Sequence, residues 1–199
     1  MKAARSTKTG AKNGGRRDDV LEAAAALFAT KGYAATSIRD IAQQVGLMSG
    51  SLYYHFESKE QILLDAHAKG VEQVTAAVQA ALAEAGENPW DRIGAACRAH
   101  LTALLGPSPF SQVMTPQFPQ SFEGSLRDVL LAQRNNYEQI FRTLVSETAL
   151  PAGIDPSLFR LSLLGALNWT LTWYRPGGDD SPAFIADNIV SIFRHRLDG

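Results

Sequence analysis

A single cysteine, Cys97, in 199 residues leaves no second thiol, so an internal disulfide framework and a cysteine-built zinc cluster are both excluded. A reducing, intracellular compartment is the expectation that follows. Long hydrophobic runs are missing as well. Nowhere does the chain hold the roughly 18 uninterrupted apolar residues that mark a membrane-spanning helix. Its basic N-terminus, MKAARSTKTGAKNGGRR, lacks the apolar centre of a secretion signal. The expected location is the cytoplasm, with no membrane partner. Signatures of catalysis are absent too: no GxSxG elbow, no phosphate-binding loop, no GxGxxG and no HExxH. His67, His100 and His195 stand alone and read as surface or satisfied interior residues, so no metal is expected. Cys97 sits among Ala and Arg with no base beside it, and Asp179-Asp180 precede a Ser-Pro helix start, where acidic residues suit the helix dipole. Neither enzyme activity nor a cofactor is expected.

What is present is apolar material, 45% of the residues, enough in a chain of this length to bury roughly two-thirds of the unfolded surface. The net charge of −1 hides an asymmetry: residues 1–60 hold nine Lys/Arg against six Asp/Glu, and residues 61–199 hold ten against fourteen. Six of the nine cations (Lys2, Arg5, Lys8, Lys12, Arg16 and Arg17) fall in the first 17 residues, a stretch without acidic residues. Residues 1–16 therefore read as a disordered basic arm, either a solubilising tail or a grip on nucleic-acid phosphates.

Beyond the arm the apolar spacing is helical. From Asp18, residues Val20, Leu21, Ala24, Leu27 and Phe28 recur at three and four until Lys31-Gly32. Thr36 or Ser37 caps a second helix with Asp40 at the capping-box position, Ile38, Ile41, Ala42 and Val45 facing inward, and Gly46 ending it. A third short helix over residues 49–55 follows so tight a turn that it must cross the second steeply, as in helix-turn-helix. Ser58 opens a fourth, running to about Ala85. Asn88-Pro89, Asp155-Pro156 and Ser181-Pro182 mark three later starts, and another helix covers residues 122–149. Residues 106–119, with several prolines, read as a broken helix or an apolar loop. No stretch alternates with period two. The fold class is all-α, with about nine helices: residues 17–62 form a three-helix helix-turn-helix domain and residues 63–199 a helical bundle for effector binding and dimerisation.

The final two helices carry surplus apolar surface. Over residues 158–174 apolar groups surround the whole helix, and over residues 184–197 they span an arc of about 220°, beyond the width of a simple core-facing stripe. A homodimer interface is the expected use, formed by Leu163, Leu167, Leu171, Ile185, Ile189, Ile192 and Phe193. The other reading is a larger internal core.

Residues 36–59, TSIRDIAQQVGLMSGSLYYHFESK, carry the functional reading. Side chains not needed for the core are small hydroxyls, aromatics with polar tips, one His and isolated cations. That mixture suits double-stranded DNA, where a helix enters the major groove by its N-terminus while flanking donors hold phosphates. Ser49, Gly50 and Ser51 would meet base edges. Tyr53, His55 and Lys59 would hold phosphates, with a structural role for His55 as the alternative. Tyr54 would lie on a base or a thymine methyl, Arg39 would reach a guanine edge, and Thr36 and Ser37 would offer hydroxyls.

These residues resemble the TetR family of bacterial transcriptional regulators. Gly46, Gly50, Leu52, Tyr53, His55, Phe56, Ser58 and Lys59 match the family's hallmark run. Ala23, Ala24, Leu27, Phe28, Gly32 and Tyr33 match its first helix, and Thr36, Ile38, Asp40, Ile41 and Ala42 its second, so the likeness covers residues 17–63. Met48 departs from it, standing where the family carries a Ser or Thr cap; Ser49 is the candidate replacement. The resemblance implies a homodimer whose last two helices pair, whose middle helices enclose an effector pocket, and whose effector releases an inverted-repeat operator, so that the protein is a repressor. Residues 168–170, 173–178 and 47–53 are similar to regulators of steroid and fatty-acid breakdown, which implies a role in lipid metabolism and an acyl-coenzyme A effector. For a small hydrophobic effector, the aromatic or soft residues Phe110, Met114, Phe118, Phe122, Tyr137, Phe141 and Trp169 are candidate pocket walls, or else ordinary core. Arg127, Arg134 and Arg175 are candidate anion partners. The competing reading is a helical small-molecule carrier or enzyme whose N-terminal motif no longer binds DNA.

Overall fold

The computed structural model describes residues 10–115 and 118–195. Among them are eight α-helices, two short 3-10 turns and no strand. Helix α1 is Gly10–Lys31, α2 Ile38–Gln44, α3 Ser49–Leu52, α4 Lys59–Glu84, α5 Pro89–Leu105, α6 Gly124–Ser146, α7 Pro156–Trp169 and α8 Pro182–His195. The 3-10 turns are Phe118–Ser121, before α6, and Thr170–Thr172, which ends α7. Helix α1 starts eight residues ahead of the expected Asp18, and from Gly10 onward the expected arm belongs to its backbone. Residues 1–9 of that arm lie outside the described residues.

Local chemistry explains most boundaries. Gly32 at φ +82° and Gly46 at φ +67° end α1 and α2 in a backbone region that other residues resist. Ser37 and Asp40 form a complete capping box at the start of α2. Ser58 accepts from the Gln61 amide, but the Gln61 side chain turns to Asp65, so only half of that box forms. Asn88, Asp155 and Ser181 each accept backbone N–H bonds ahead of a proline. Residues 106–115, rich in proline, follow irregular turns.

The apolar residues collect into two cores. The first joins Val20, Leu21, Ala24 and Phe28 of α1 to Ile41, Leu52 and Phe56, and to Ile62, Leu63 and Ala66 of α4. Helix α4 then continues into the second core through Val74 and Val78. The expected division after residue 62 thus falls inside a single helix about 39 Å long. Phe110 and Val113, from the loop after α5, reach back into the first core. In the second core α5 is central, burying Ile93, Ala96, Cys97, His100, Leu101 and Leu104 against α4, α6, α7 and α8.

Candidate functional site

The surface around α3 leaves part of the expected nucleic-acid set facing outward and turns part of it inward. Tyr54 is 91% exposed and Tyr53 59%. Gly50 and Arg39 are exposed, Ser49, Ser51 and His55 half-buried, and Arg39 forms no ion pair among the described residues. Leu52 and Phe56 on the opposite side anchor the segment in the first core. Polar tips therefore face outward from a short helix held by two apolar pegs.

Two expected contacts turn inward instead, and a third is engaged at an exposed helix cap. Thr36 is 1% exposed, its hydroxyl donating to the Gly32 and Leu27 carbonyls at 2.8 and 3.3 Å, so it stitches the α1–α2 turn and cannot meet DNA. The Lys59 ammonium donates to the Tyr33 and Thr36 carbonyls, both at 2.9 Å, and lies 4.2 Å from the Tyr33 ring centroid. Most of its hydrogen-bonding capacity locks α4 onto the α1–α2 connection, which demotes it as a phosphate donor. The Ser37 hydroxyl caps α2 and donates to Asp40 at 2.7 Å, holding that carboxyl below its ordinary pKa. Ser49 does not replace the missing cap: Met48 occupies the N-cap position of α3 without a side-chain bond, and its own side chain is 80% exposed.

A cavity of about 520 Å³ opens between α5, α6 and α7 in the second core, within the ~300–1,000 Å³ typical of ligand pockets. Of the expected lining residues, Met114, Arg134, Tyr137 and Trp169 border it. The remainder do not. Phe110, Phe118 and Phe122 pack on the first core, and Phe141 is 1% exposed inside the second, behind the cavity wall. Arg127 turns to Gln120 at 2.8 Å, and Arg175 is exposed beyond α7. Sequence reasoning missed His100, Glu138, Leu164 and Asn168, which all border the cavity. His100 was findable, since it shares the helical spacing of Ile93, Ala96, Cys97, Leu101 and Leu104.

The polar side of this cavity is unusual. The His100 ring is 5% exposed, stacks on Tyr137 and meets its hydroxyl at 2.6 Å through Nδ1, while Nε2 has no hydrogen-bond partner. Burial pushes its pKa down to about 4, an effect that nearby Asn168 offsets in part, so the ring is neutral at pH 7. Burial likewise raises Tyr137, keeping the phenol protonated. Glu138 pairs with Arg160 at 2.8 Å and with Arg134 at 3.3 Å, yet Arg134 Nε is misaligned for a hydrogen bond and remains without one. The Cys97 thiol, pushed up to about 12 by burial, is inert as a nucleophile.

Of the residues expected to pair two copies, Leu163, Leu167 and Ile185 are instead closed into the chain's own core, at 1%, 0% and 6% exposure. Leu171, Ile189 and Phe193 are half-buried against it. Only Ile192 lies clearly outside, joined by Leu158, Leu161, Trp169, Trp173 and Phe184, all about half exposed or more. Period-based projection found the surplus but assigned several of its members to the wrong side.

A helix-turn-helix unit on a helical bundle that carries an open cavity defines a class of two-part helical DNA-binding proteins. Comparison with known proteins agrees. The profile of bacterial regulatory proteins of the tetR family matches residues 20–66, and that of the tetracyclin repressor-like C-terminal domain residues 86–197. The HTH-type transcriptional repressor KstR2 of Mycobacterium tuberculosis is 32% identical over 187 residues, covering 89% of this chain and 90% of that one. KstR2 of Rhodococcus jostii is 29% identical over 197 residues, covering 93% and 91%. Among solved structures, AibR in complex with isovaleryl coenzyme A and operator DNA superposes with a TM-score of 0.77 at 26% identity, covering 89% of this chain and 97% of that one. The chain belongs to the TetR family of bacterial regulatory proteins and is a transcriptional regulator, not an enzyme. No described helix is long and apolar enough to cross a membrane.

Proposed function

We propose that this protein is a cytoplasmic repressor that binds an inverted-repeat operator as a homodimer and releases it when a small hydrophobic ligand, an acyl-coenzyme A thioester, occupies the cavity between α5, α6 and α7. The observation carrying this reading is the outward display of Tyr53, Tyr54, Ser51 and Arg39 around α3, with Leu52 and Phe56 fixing the segment behind. Dimerisation is supported by the exposed apolar face of α7 and α8, where Leu158, Leu161, Trp169, Trp173, Phe184 and Ile192 are left unpartnered by the single chain. The ligand class is supported by the cavity and by the isovaleryl coenzyme A bound to AibR. Kinship to the KstR2 repressors favours repression over activation.

Gel-shift titration of the full chain against promoter DNA next to its own coding region tests this directly. An inverted repeat should shift at low salt, with an affinity that falls steeply as salt rises. Tyr54→Ala or Ser51→Ala should cost about 1–3 kcal/mol of affinity and change base preference, while Arg39→Ala should also lower the salt slope by about one. Sedimentation should give a dimer, and an acyl-coenzyme A should abolish the shift. If no inverted repeat binds at low salt, the helical carrier reading takes over.

A further inference from the structure

One donor in the cavity wall has no partner at all, His100 Nε2, whereas Arg134 Nε lies 3.3 Å from the Glu138 carboxylate. A buried polar group left unpaired is costly, and such an orphan calls for a partner that the chain itself does not supply. The Tyr137 hydroxyl decides which tautomer His100 adopts. At 8% exposure the phenol needs an acceptor for its proton, and the His100 nitrogen at 2.6 Å is that acceptor. With Nδ1 accepting, a neutral ring must carry its proton on Nε2. The reverse assignment would strand the phenol proton, whichever way the neighbouring Asn168 amide turns. Tyr137 thus fixes His100 as a neutral, buried donor in the shell of residues that borders the cavity.

Resting on the reading of this cavity as the effector site, we infer that His100 Nε2–H, oriented by Tyr137, is the polar anchor of the pocket and recognises the carbonyl oxygen of an apolar acyl group. The groups facing this point fit an oxygen acceptor. Glu138 is engaged by Arg134 and Arg160. Leu161, Leu164 and Trp169 offer the apolar body of the ligand a wall. A carbonyl is shared by thioesters and by free acids; a hydroxyl or a plain alkyl chain lacks the same directional acceptor.

The test uses the full chain and matched probes. Isovaleryl, octanoyl and stearoyl coenzyme A are titrated calorimetrically, and the tightest is compared with its thioether analogue, in which a methylene replaces the carbonyl. The corresponding free acid and alcohol form a second pair that distinguishes thioester from acid as the source of the oxygen. The carbonyl compound should bind about ten- to a hundredfold more tightly than its partner. In His100→Phe that preference should collapse while thioether or alcohol binding persists, and His100→Gln, which retains a donor, should restore part of it. Histidine 15N shifts should report the Nε2–H tautomer in the free protein and a change on adding the carbonyl probe. Tyr137→Phe should redistribute the tautomers. An equal affinity within both pairs, a preference that survives in His100→Phe, or binding of none of the acyl probes overturns the inference. Failure of the effector reading looks different: carbonyl probes bind with the stated preference yet leave the operator complex intact.

Discussion

The two cores differ in how completely they satisfy their buried polar groups. In the first, each such group closes on the chain itself: Thr36 donates to the Gly32 and Leu27 carbonyls, and Lys59 to Tyr33 and Thr36. In the second, Thr148, Thr170 and Arg160 do the same, but His100 Nε2 has no partner beside an open cavity. A self-satisfied unit has one preferred geometry, as a rigid reader of DNA spacing needs. A wall with an unspent donor gains free energy when an acceptor arrives, and a ligand bound there would draw on that reserve.

The sharpest test of this contrast is acidification. His100 is neutral in the fold with a pKa near 4, against 6.5 when unperturbed. As pH falls below 6.5 the unfolded chain takes up a proton that the native ring refuses, so native stability declines between about 6.5 and 4 and levels off below. The full effect of this one ring is about 3 kcal/mol. His67, also lowered by burial, adds with the same sign. Urea midpoints of the wild type and His100→Phe, measured from pH 7 to 4.5, should diverge, with the variant much flatter. Parallel curves would mean that the ring is not buried as described.

The cores also touch, and breaking that contact comes next in size. A Cβ at Gly70 of α4 would lie 2.5 Å from Met114 Sδ and 2.9 Å from Phe110 Cβ. Met114 borders the cavity, whereas Phe110 belongs to the first core. The Met114 side chain can swing aside; a Cβ fixed to its own backbone cannot. Overpacking costs about 1–3 kcal/mol, offset by up to about 1 kcal/mol from better helix propensity, so Gly70→Ala should lower stability by about 1–2 kcal/mol in chemical unfolding. A raised midpoint would indicate that residues 106–115 yield freely and transmit little between the cores.

Lys59 and Arg39 separate holding the first core together from gripping DNA. Lys59→Ala removes two charge-assisted bonds to carbonyls and should cost about 1.5 kcal/mol of stability, visible in thermal unfolding without DNA. Arg39→Ala should leave stability within about 0.5 kcal/mol and act only on the salt dependence of operator binding. If the two variants exchange behaviours, the internal role given to Lys59 is wrong.

Legibility followed the same divide. The first core was readable because its signals are local: the Ser37–Asp40 box, Gly32, Gly46 and the apolar pegs lie within a few residues of what they control. Even there, the inward turn of Thr36 and Lys59 depended on carbonyls 4 to 26 residues away in the chain. The cavity is built by α5, α6 and α7, whose crossing no local spacing encodes, so an aromatic tally picked Phe110 and Phe141 while passing over His100 and Asn168. On α7 and α8 the amount of apolar surface was legible. Which half of it faces inward was set by the approach of α5, and Leu163, Leu167 and Ile185 went to the core.

The smallest expected effect concerns the cap that aims the reading unit. Ser37 accepts from the Asp40 amide at 3.1 Å and donates to its carboxylate at 2.7 Å, while Asp40 accepts from the Ser37 amide at 2.8 Å. Removing the hydroxyl in Ser37→Ala should destabilise by about 1 kcal/mol, and Ser37→Gly by only a few tenths. Asp40 is held below its ordinary value of 3.8 chiefly by Ser37, so its share of stability is present above that pH and is lost as acid carries it through the lowered value. In Ser37→Ala the carboxyl should titrate closer to 3.8, which carbon-detected NMR of Asp40 would register. Because the box sets where α2 begins, and α2 positions α3 through the turn at Gly46, the same variant should weaken operator binding slightly without altering base preference. A change in preference would instead give the Ser37 hydroxyl a direct place at the DNA.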